Sequence, residues 1–479
     1  MSTPRRDFIR TMTLGGSALA TGLPVFAAAP TEESLAQSAQ MLKQAPTFNM
    51  CGYAAPKLEV VRIGIVGIGM RGSDAVGRLS YIDGVEIVAV CDKYPERLAG
   101  AQKTLAAVNR PKAKEYSGEE GWKALCESND IDLVYITTPW SLHTPIAVYA
   151  MKNGKHAATE VPAALTLEQC WELVDTSEKT KRHCMMLENC CYDFFELLTL
   201  NMSRQGLFGE IVHAEGAYIH DLSTGWLFNK NAYADMWRIK ENTGKNGSLY
   251  PTHGLGPVAQ CMNINRGDLM EHLVSMSTGD FSLAPLAAEM AAKDSFFQSY
   301  VGKSYRGNMN NTMIRTVKGK TILIQHDVST PRPYSRIHIV SGTKGMAQKW
   351  PGPARIAFGH SWVKTEEMKS LEEKYTLPIV KHIGAIAKEV GGHGGMDFIM
   401  DWRMIDCLRN GLPLDQDVYD AASWSSIVPL SVLSTQKRSR TVDVPDFTRG
   451  NWKQNQPVNL TLEGGATTGV RASKPTLKM

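Results

Sequence analysis

Three glycines and one aspartate carry the first recognisable chemistry in this chain. Gly67-Ile68-Gly69-Met70-Arg71-Gly72 follows the apolar run Val60–Val66 and opens a helix expected near Gly72. Asp92 closes the next apolar run, twenty residues on. Glycines at those places let the backbone turn tightly and approach a pyrophosphate, whose charge a helix N-terminus favours. Asp92 can accept both hydroxyls of a ribose and would repel a 2′-phosphate, so the pattern implies NAD rather than NADP. A glycine fingerprint alone is weak; the strand before it, the helix after it and the acid at this spacing make it specific. No His, Cys and carboxylate residues group at metal-ligand spacing, so no catalytic metal is expected. Of nine cysteines, Cys91, Cys126, Cys170, Cys184 and Cys261 sit in apolar patterns and read as small core residues. The adjacent Cys190-Cys191 implies no disulfide framework.

The elements that must hold these residues alternate. Buried strands are expected at Val60–Val66, Val85–Cys91, Leu133–Thr137, around His156–Ala158 and at Cys184–Leu187. Helices are expected between them at Pro145–Asn153 and Leu167–Thr180. That rhythm demands a parallel, doubly wound sheet. After about residue 210, strand-like runs follow one another at Ile211–Tyr218, Leu273–Phe281, Met313–Val317, Thr321–His326 and Arg336–Val340. Such a succession points to a mixed or antiparallel sheet, whose open face is expected to border the cofactor. Helical patterns return at Met396–Arg409 and Val418–Leu433. The fold class is therefore α/β: an N-terminal Rossmann domain followed by an α+β domain with a large mixed or antiparallel sheet. The expected divisions are a leader at 1–30, a linker at 31–57 that is poorly ordered or wrapped on the surface, a Rossmann domain at 58–190, a substrate-binding domain at 191–450 and a tail at 451–479.

With 479 residues the chain exceeds one hydrophobic core. Its 43% hydrophobic and 21% charged residues and net charge of +4 make no basic stripe and no case for nucleic acid. The paired Arg5-Arg6 followed by Phe8-Ile9, the mildly apolar Met12–Phe26 and the small Ala27-Ala28-Ala29 form a twin-arginine export signal. A periplasmic or secreted protein is expected, with the twin-arginine export machinery as a partner. The apolar stretch is too short and too rich in glycine to span a membrane well.

The fingerprint, Thr138-Pro139 after a strand and Glu160-Val161-Pro162 resemble the Gfo/Idh/MocA oxidoreductases. Further motifs resemble one branch, glycoside hydrolase family 109, the NAD-dependent α-N-acetylgalactosaminidases. These are Thr138-Pro139-Trp140 with His143, Met186-Leu187-Glu188-Asn189, Ala217-Tyr218-Ile219-His220-Asp221-Leu222, Gly247 to Pro257, Thr330 to Arg336 and Gly391 to Asp397. The resemblance implies cofactor contacts at Met70, Arg71, Asp92, Trp140, Ser141, Leu142, His143, Glu160, Val161, Asn189 and Tyr250. It implies sugar contacts at Tyr218, Arg238, Tyr250, Pro251, Thr252, His253 and Tyr334. Two departures stand near the ligand: Ser141-Leu142 where the branch usually has Glu-Trp, and Ser223 where it usually has Arg.

The chemistry implied by the resemblance is redox-assisted elimination, an exception to the two-carboxylate glycosidases. The sugar is oxidised at C3, the C2 proton becomes acidic and is removed, the C1 glycosidic bond is eliminated, water adds and C3 is reduced again. Dehydrogenases of the superfamily carry a Lys where Val161 stands. His253 is expected as the principal base, since histidine titrates near neutrality, with Tyr250 as the partner that orients it or relays the proton. His253 as a turn cap, His143 as a loop holder and His393 as a lining residue remain open alternatives. Glu160 and Glu188 are expected behind the ligands rather than on them. The competing activity is an NAD-dependent sugar or glycoside 3-dehydrogenase that releases the keto sugar. The oligomeric state stays open between a monomer and a homo-oligomer.

Overall fold

The computed structural model describes residues 31–42 and 44–471. Residues 1–30, read as an export signal, lie outside them. Six parallel strands make the first sheet: β1 (Val61–Val66), β2 (Val85–Asp92), β3 (Lys114–Ser117), β4 (Leu133–Ile136), β5 (His156–Thr159) and β6 (Cys184–Met186), in the order β3-β2-β1-β4-β5-β6. Strands β4, β5 and β6 are buried at every position, as a parallel sheet covered by helices on both faces requires. The edge strand β3, Lys-Glu-Tyr-Ser, has no apolar run and lies outside the sequence expectation. The strand order reverses between β1 and β4, which opens the ligand crevice at their carboxyl ends.

The second sheet has eight strands: β7 (Ile211–Ile219), β8 (Met270–Ser277), β9 (Asn310–Thr316), β10 (Thr321–Asp327), β11 (His338–Gly342), β12 (Met346–Lys349), β13 (Arg355–Ala357) and β14 (Val442–Asp443). Their order is β13-β12-β11-β7-β10-β9-β8-β14. Neighbours run antiparallel except β7 and β10, which pair in parallel from His213 opposite Thr321 to Ile219 opposite Asp327. The sheet is thus mixed. Its face toward the first domain is not open, which corrects the expectation: the helices Thr252–Cys261 and Val418–Gln436 cover it and also touch the first domain. The open face lies on the far side, where Val274, Met276 and Met313 stand exposed.

The two late helices belong to the first domain's packing. Tyr135 OH donates to Asp401 Oδ1 at 2.9 Å, and Ala163 N–H donates to Ser425 Oγ at 3.1 Å. The helix Val418–Gln436 is buried from Val418 to Ser434, wedged between both sheets. The segments expected as linker and tail are likewise fastened. A helix at Glu32–Met41 carries Ser38, whose Oγ accepts from Trp171 Nε1 at 2.8 Å, and Met50 N–H donates to Tyr419 OH at 3.1 Å. At the other end Trp402 Nε1 donates to Thr468 O at 3.0 Å, and Val470 bridges to Ile82. Among the described residues no helix is long and apolar enough to cross a membrane.

Candidate active site

The glycine loop after β1 turns into the helix Met70–Leu79, two residues before Gly72. Gly67 has φ +93°, and a Cβ there would stand 2.8 Å from the Thr138 backbone nitrogen. A Cβ on Gly72 would fall 1.9 Å from Gly67 O. Packing alone demands glycine at both. Gly69 differs: its Cβ would meet only Arg97 Nη1, at 3.8 Å. Open space there, above a helix N-terminus with no side-chain cap, leaves room for a phosphate. Asp92 ends β2 with Oδ2 accepting from Ile68 N–H at 2.6 Å and Oδ1 from Tyr94 N–H at 2.8 Å. Each oxygen keeps a lone pair for a ribose hydroxyl. These residues fit NAD.

Behind this loop lies an ionic network centred on the buried Asp397. Arg71 pairs with Glu160 Oε1 at 2.6 Å and with Asp397 Oδ2 at 2.8 Å. Asp397, the second residue of the helix Met396–Asn410, also meets His393 Nδ1 at 2.9 Å and accepts from Asn189 Nδ2. Burial opposes its ionisation, but Arg71, with His393 and Arg78, holds the carboxyl well below the ordinary range. Two expected cofactor residues, Arg71 and Asn189, thus share one anchor from the far end of the chain, and Glu160 joins it through Arg71. Met70 is exposed beside them, and Val161 is buried. Trp140, Ser141 and Leu142 form the turn after β4, the first buried and the others half-buried. His143 is clamped: its Nδ1 and Nε2 face Pro162 O and Thr138 O, each at 2.8 Å. Its ring therefore ties two loops together, leaving only its backbone to approach a ligand.

An aromatic cluster lines the next space. Trp140 stacks on Tyr250 with centroids 5.5 Å apart and planes at 24°. Tyr218 lies 4.7 Å from Tyr250 and 6.3 Å from Tyr334. Arg238 donates to Tyr233 OH at 2.6 Å, and its guanidinium lies 5.1 Å from the Tyr250 centroid and 5.4 Å from that of Trp140. Rings with apolar faces and polar edges suit a pyranose, which has both. Burial pushes the Tyr250 hydroxyl well above its ordinary range, so it remains a neutral donor.

His253, on the first turn of the helix Thr252–Cys261, packs against Tyr250 at 4.9 Å and Tyr218 at 5.5 Å. Its Nδ1 lies 2.7 Å from Oε1 of the fully buried Glu188. Burial opposes ionisation of Glu188, yet His253 and the Cys190 N–H lower its carboxyl below the ordinary range. An ionised Glu188 only accepts, so Nδ1 carries a proton, and in the neutral ring Nε2 is the nitrogen with the lone pair. Pro251 and Thr252, both buried, set the turn that places the ring. Glu188 Oε2 and Thr252 Oγ1 are buried without a hydrogen-bond partner. Donor atoms of Glu188, Cys190 and His253 also lie within 4.8 Å of one another, close enough together to meet one ion. His220, whose Nδ1 lies 3.0 Å from Tyr218 OH, and Asp397 stand in the family motifs but carry no role expected from the sequence. For Asp397, the four-residue interval from His393 at a helix start was the available signal.

Residues 192–454 match the family described as "Glycosyl hydrolase 109, C-terminal domain", and residues 61–188 match "Oxidoreductase family, NAD-binding Rossmann fold". The chain is 48% identical over 461 residues to a protein named "Glycosyl hydrolase family 109 protein 1" from Bacteroides fragilis (strain YCH46), covering 91% of this chain and 97% of that one. It is 50% identical over 411 residues to one named "Alpha-N-acetylgalactosaminidase" from Bacteroides fragilis (strain ATCC 25285), covering 85% and 96%. Among solved structures, a levoglucosan dehydrogenase in complex with NADH and L-sorbose superposes with a TM-score of 0.60 at 19% identity, covering 81% of this chain and 100% of that one. That last likeness is one of fold.

Proposed function

From the premise that this chain belongs to glycosyl hydrolase family 109 and carries an NAD-binding Rossmann domain, we propose that it hydrolyses terminal α-N-acetylgalactosaminides by reversible oxidation at C3. The observation that carries the reading is His253: a base oriented by buried Glu188, set among Tyr218 and Tyr250, beside Trp140 at the edge of the dinucleotide crevice. Bound NAD supplies the two-electron oxidation of the C3 carbinol and its reversal, with no net redox change. Gly67, Gly69, Met70, Arg71, Gly72 and Asp92 would hold its phosphates and ribose, and Trp140 to His143, Glu160, Val161 and Asn189 would border the rest. Tyr218, Tyr334 and Arg238 bind and orient the sugar. With C3 as a ketone, His253 Nε2 takes the C2 proton, and the electron pair left at C2 expels the C1 oxygen as the aglycone. Water adds at C1, the proton returns to C2, and C3 is restored. Tyr250, held as a neutral phenol, donates to the sugar oxygens or passes the proton to His253.

Hydrolysis of an aryl α-N-acetylgalactosaminide in deuterated water tests the reading. Deuterium at C2 of the released sugar is expected, with release dependent on NAD. Stoichiometric NADH and a keto sugar without aglycone would replace it with the dehydrogenase reading.

Two further proposals concern the whole protein. Arg5-Arg6 and Ala27-Ala28-Ala29 support export by the twin-arginine route to the periplasm or beyond. Exposed Val274, Met276 and Met313 on the open sheet face support a homo-oligomer. A monomeric mass by light scattering would remove the latter.

A further inference from the structure

One short segment of the second domain spans the crevice of the first. Tyr233–Arg238 follows β7 and is fastened at two places. At one, Asp235 Oδ2 accepts from Tyr94 OH at 2.8 Å and pairs with Lys93 Nζ at 3.1 Å. Lys93 and Tyr94 directly follow Asp92 at the carboxyl end of β2. At the other, Trp237 packs edge-on against Trp140 at 5.4 Å, and Arg238 lies over Trp140 and Tyr250. Trp140 opens the turn after β4. Within the sheet β1 lies between β2 and β4, so a segment tied to the loops after both crosses above the glycine loop that follows β1. That is where an open α/β sheet takes its dinucleotide.

The backbone of the segment points the same way. Asp235 has φ 55° and Met236 φ 54°, two successive non-glycine residues in the left-handed region. Such residues keep that conformation where their surroundings hold it. The Tyr94 hydroxyl and the Lys93 ammonium both favour the ionised form of Asp235, and its carboxyl is lowered from the ordinary range. Lys93 is braced in turn by Glu119 at 2.7 Å.

We propose that Tyr233–Arg238 is a strap over the bound dinucleotide, latched by Asp235 on Lys93 and Tyr94, which keeps one NAD in place through successive turnovers. The need for such retention rests on the reaction proposed above, in which the cofactor is restored every cycle; the crossing itself does not. Asp235 is a positioning residue, and its effect falls on cofactor release.

Protein loaded with NADH is diluted into excess NAD, and release is followed by loss of NADH fluorescence. Wild type is compared with Asp235→Gly and Tyr94→Phe. Glycine accepts the left-handed backbone, so Asp235→Gly removes the carboxylate without adding strain. Release should quicken on the order of tenfold in Asp235→Gly, and less in Tyr94→Phe. Wild-type release should also quicken at high salt, because an exposed ion pair is screened. Equal release rates in wild type and Asp235→Gly would overturn the strap. Failure of the wild type to hydrolyse glycosides would fall on the reaction alone, because release is measured with no sugar present.

Discussion

In the reaction proposed above, His253 acts with the support of the buried Glu188 carboxylate. With Glu188 ionised, the imidazole is fixed in one tautomer and in one orientation, the service an aspartate renders the histidine of a serine protease. His253→Ala should lower kcat by about 10²–10⁴-fold while bound NAD stays at wild-type content. Glu188→Gln should fall in the same range, because a neutral amide can donate to Nδ1 and leave Nε2 protonated. Turnover and NAD content measured on both variants decide it; a Glu188→Gln enzyme of full activity would reduce the pair to packing. His253 was legible as a candidate from its residue type and motif. Its partnership with Glu188 was not, since 65 residues separate them and no periodicity links the two. Arg71 and Asp397, 326 residues apart, were hidden for the same reason.

At the level of elements, the glycine loop separates two reasons for having no side chain. Gly72→Ala would drive a methyl into the Gly67 carbonyl, so it should cost several kcal/mol of stability, on the order of an overpacked core. Gly69→Ala has room and an ordinary backbone, so its melting temperature should stay within about a degree or two of wild type. Its NAD affinity should nevertheless fall at least tenfold in a calorimetric titration; undiminished affinity would show that the open space is not the phosphate cradle. The strands that build this loop could be read directly, because β1, β2 and β4 are apolar runs bounded by turn residues. What escaped reading was governed by tertiary packing. The edge strand β3 is polar, and Glu32–Met41 is held by its contact with Trp171 rather than by its own amphipathic face.

For the molecule as a whole, acid should act through buried histidines in both domains. Burial, aided by nearby arginine charge, pushes His183 down to about 4, and burial with Lys349 and Arg336 pushes His338 down to about 3, from an ordinary 6.5. His156 and His326 are lowered in the same direction, again chiefly by burial. Below pH 6.5 the unfolded chain takes up protons that the folded chain refuses, so stability is full above that value and declines as pH falls toward the folded values. Each such group contributes about 1.4 kcal/mol per pH unit in that window. The urea midpoint should therefore be clearly lower at pH 5 than at pH 7.5; a flat profile would mean these rings accept protons in place. Export should depend on the paired arginines: replacing Arg5 and Arg6 with lysine should leave the precursor in the cytoplasm, as cell fractionation would show. The late helices add a constraint of timing. β6 ends at Met186, while the helix that covers the first domain begins at Met396, about 210 residues later. At about 5–20 residues per second a ribosome takes roughly 10–40 s over that interval. Throughout it the nascent Rossmann sheet lacks Tyr135's partner Asp401 and Arg71's partner Asp397. The walls of the cofactor crevice are therefore completed only once the helix Met396–Asn410 has emerged, long after the strands and the glycine loop that it braces.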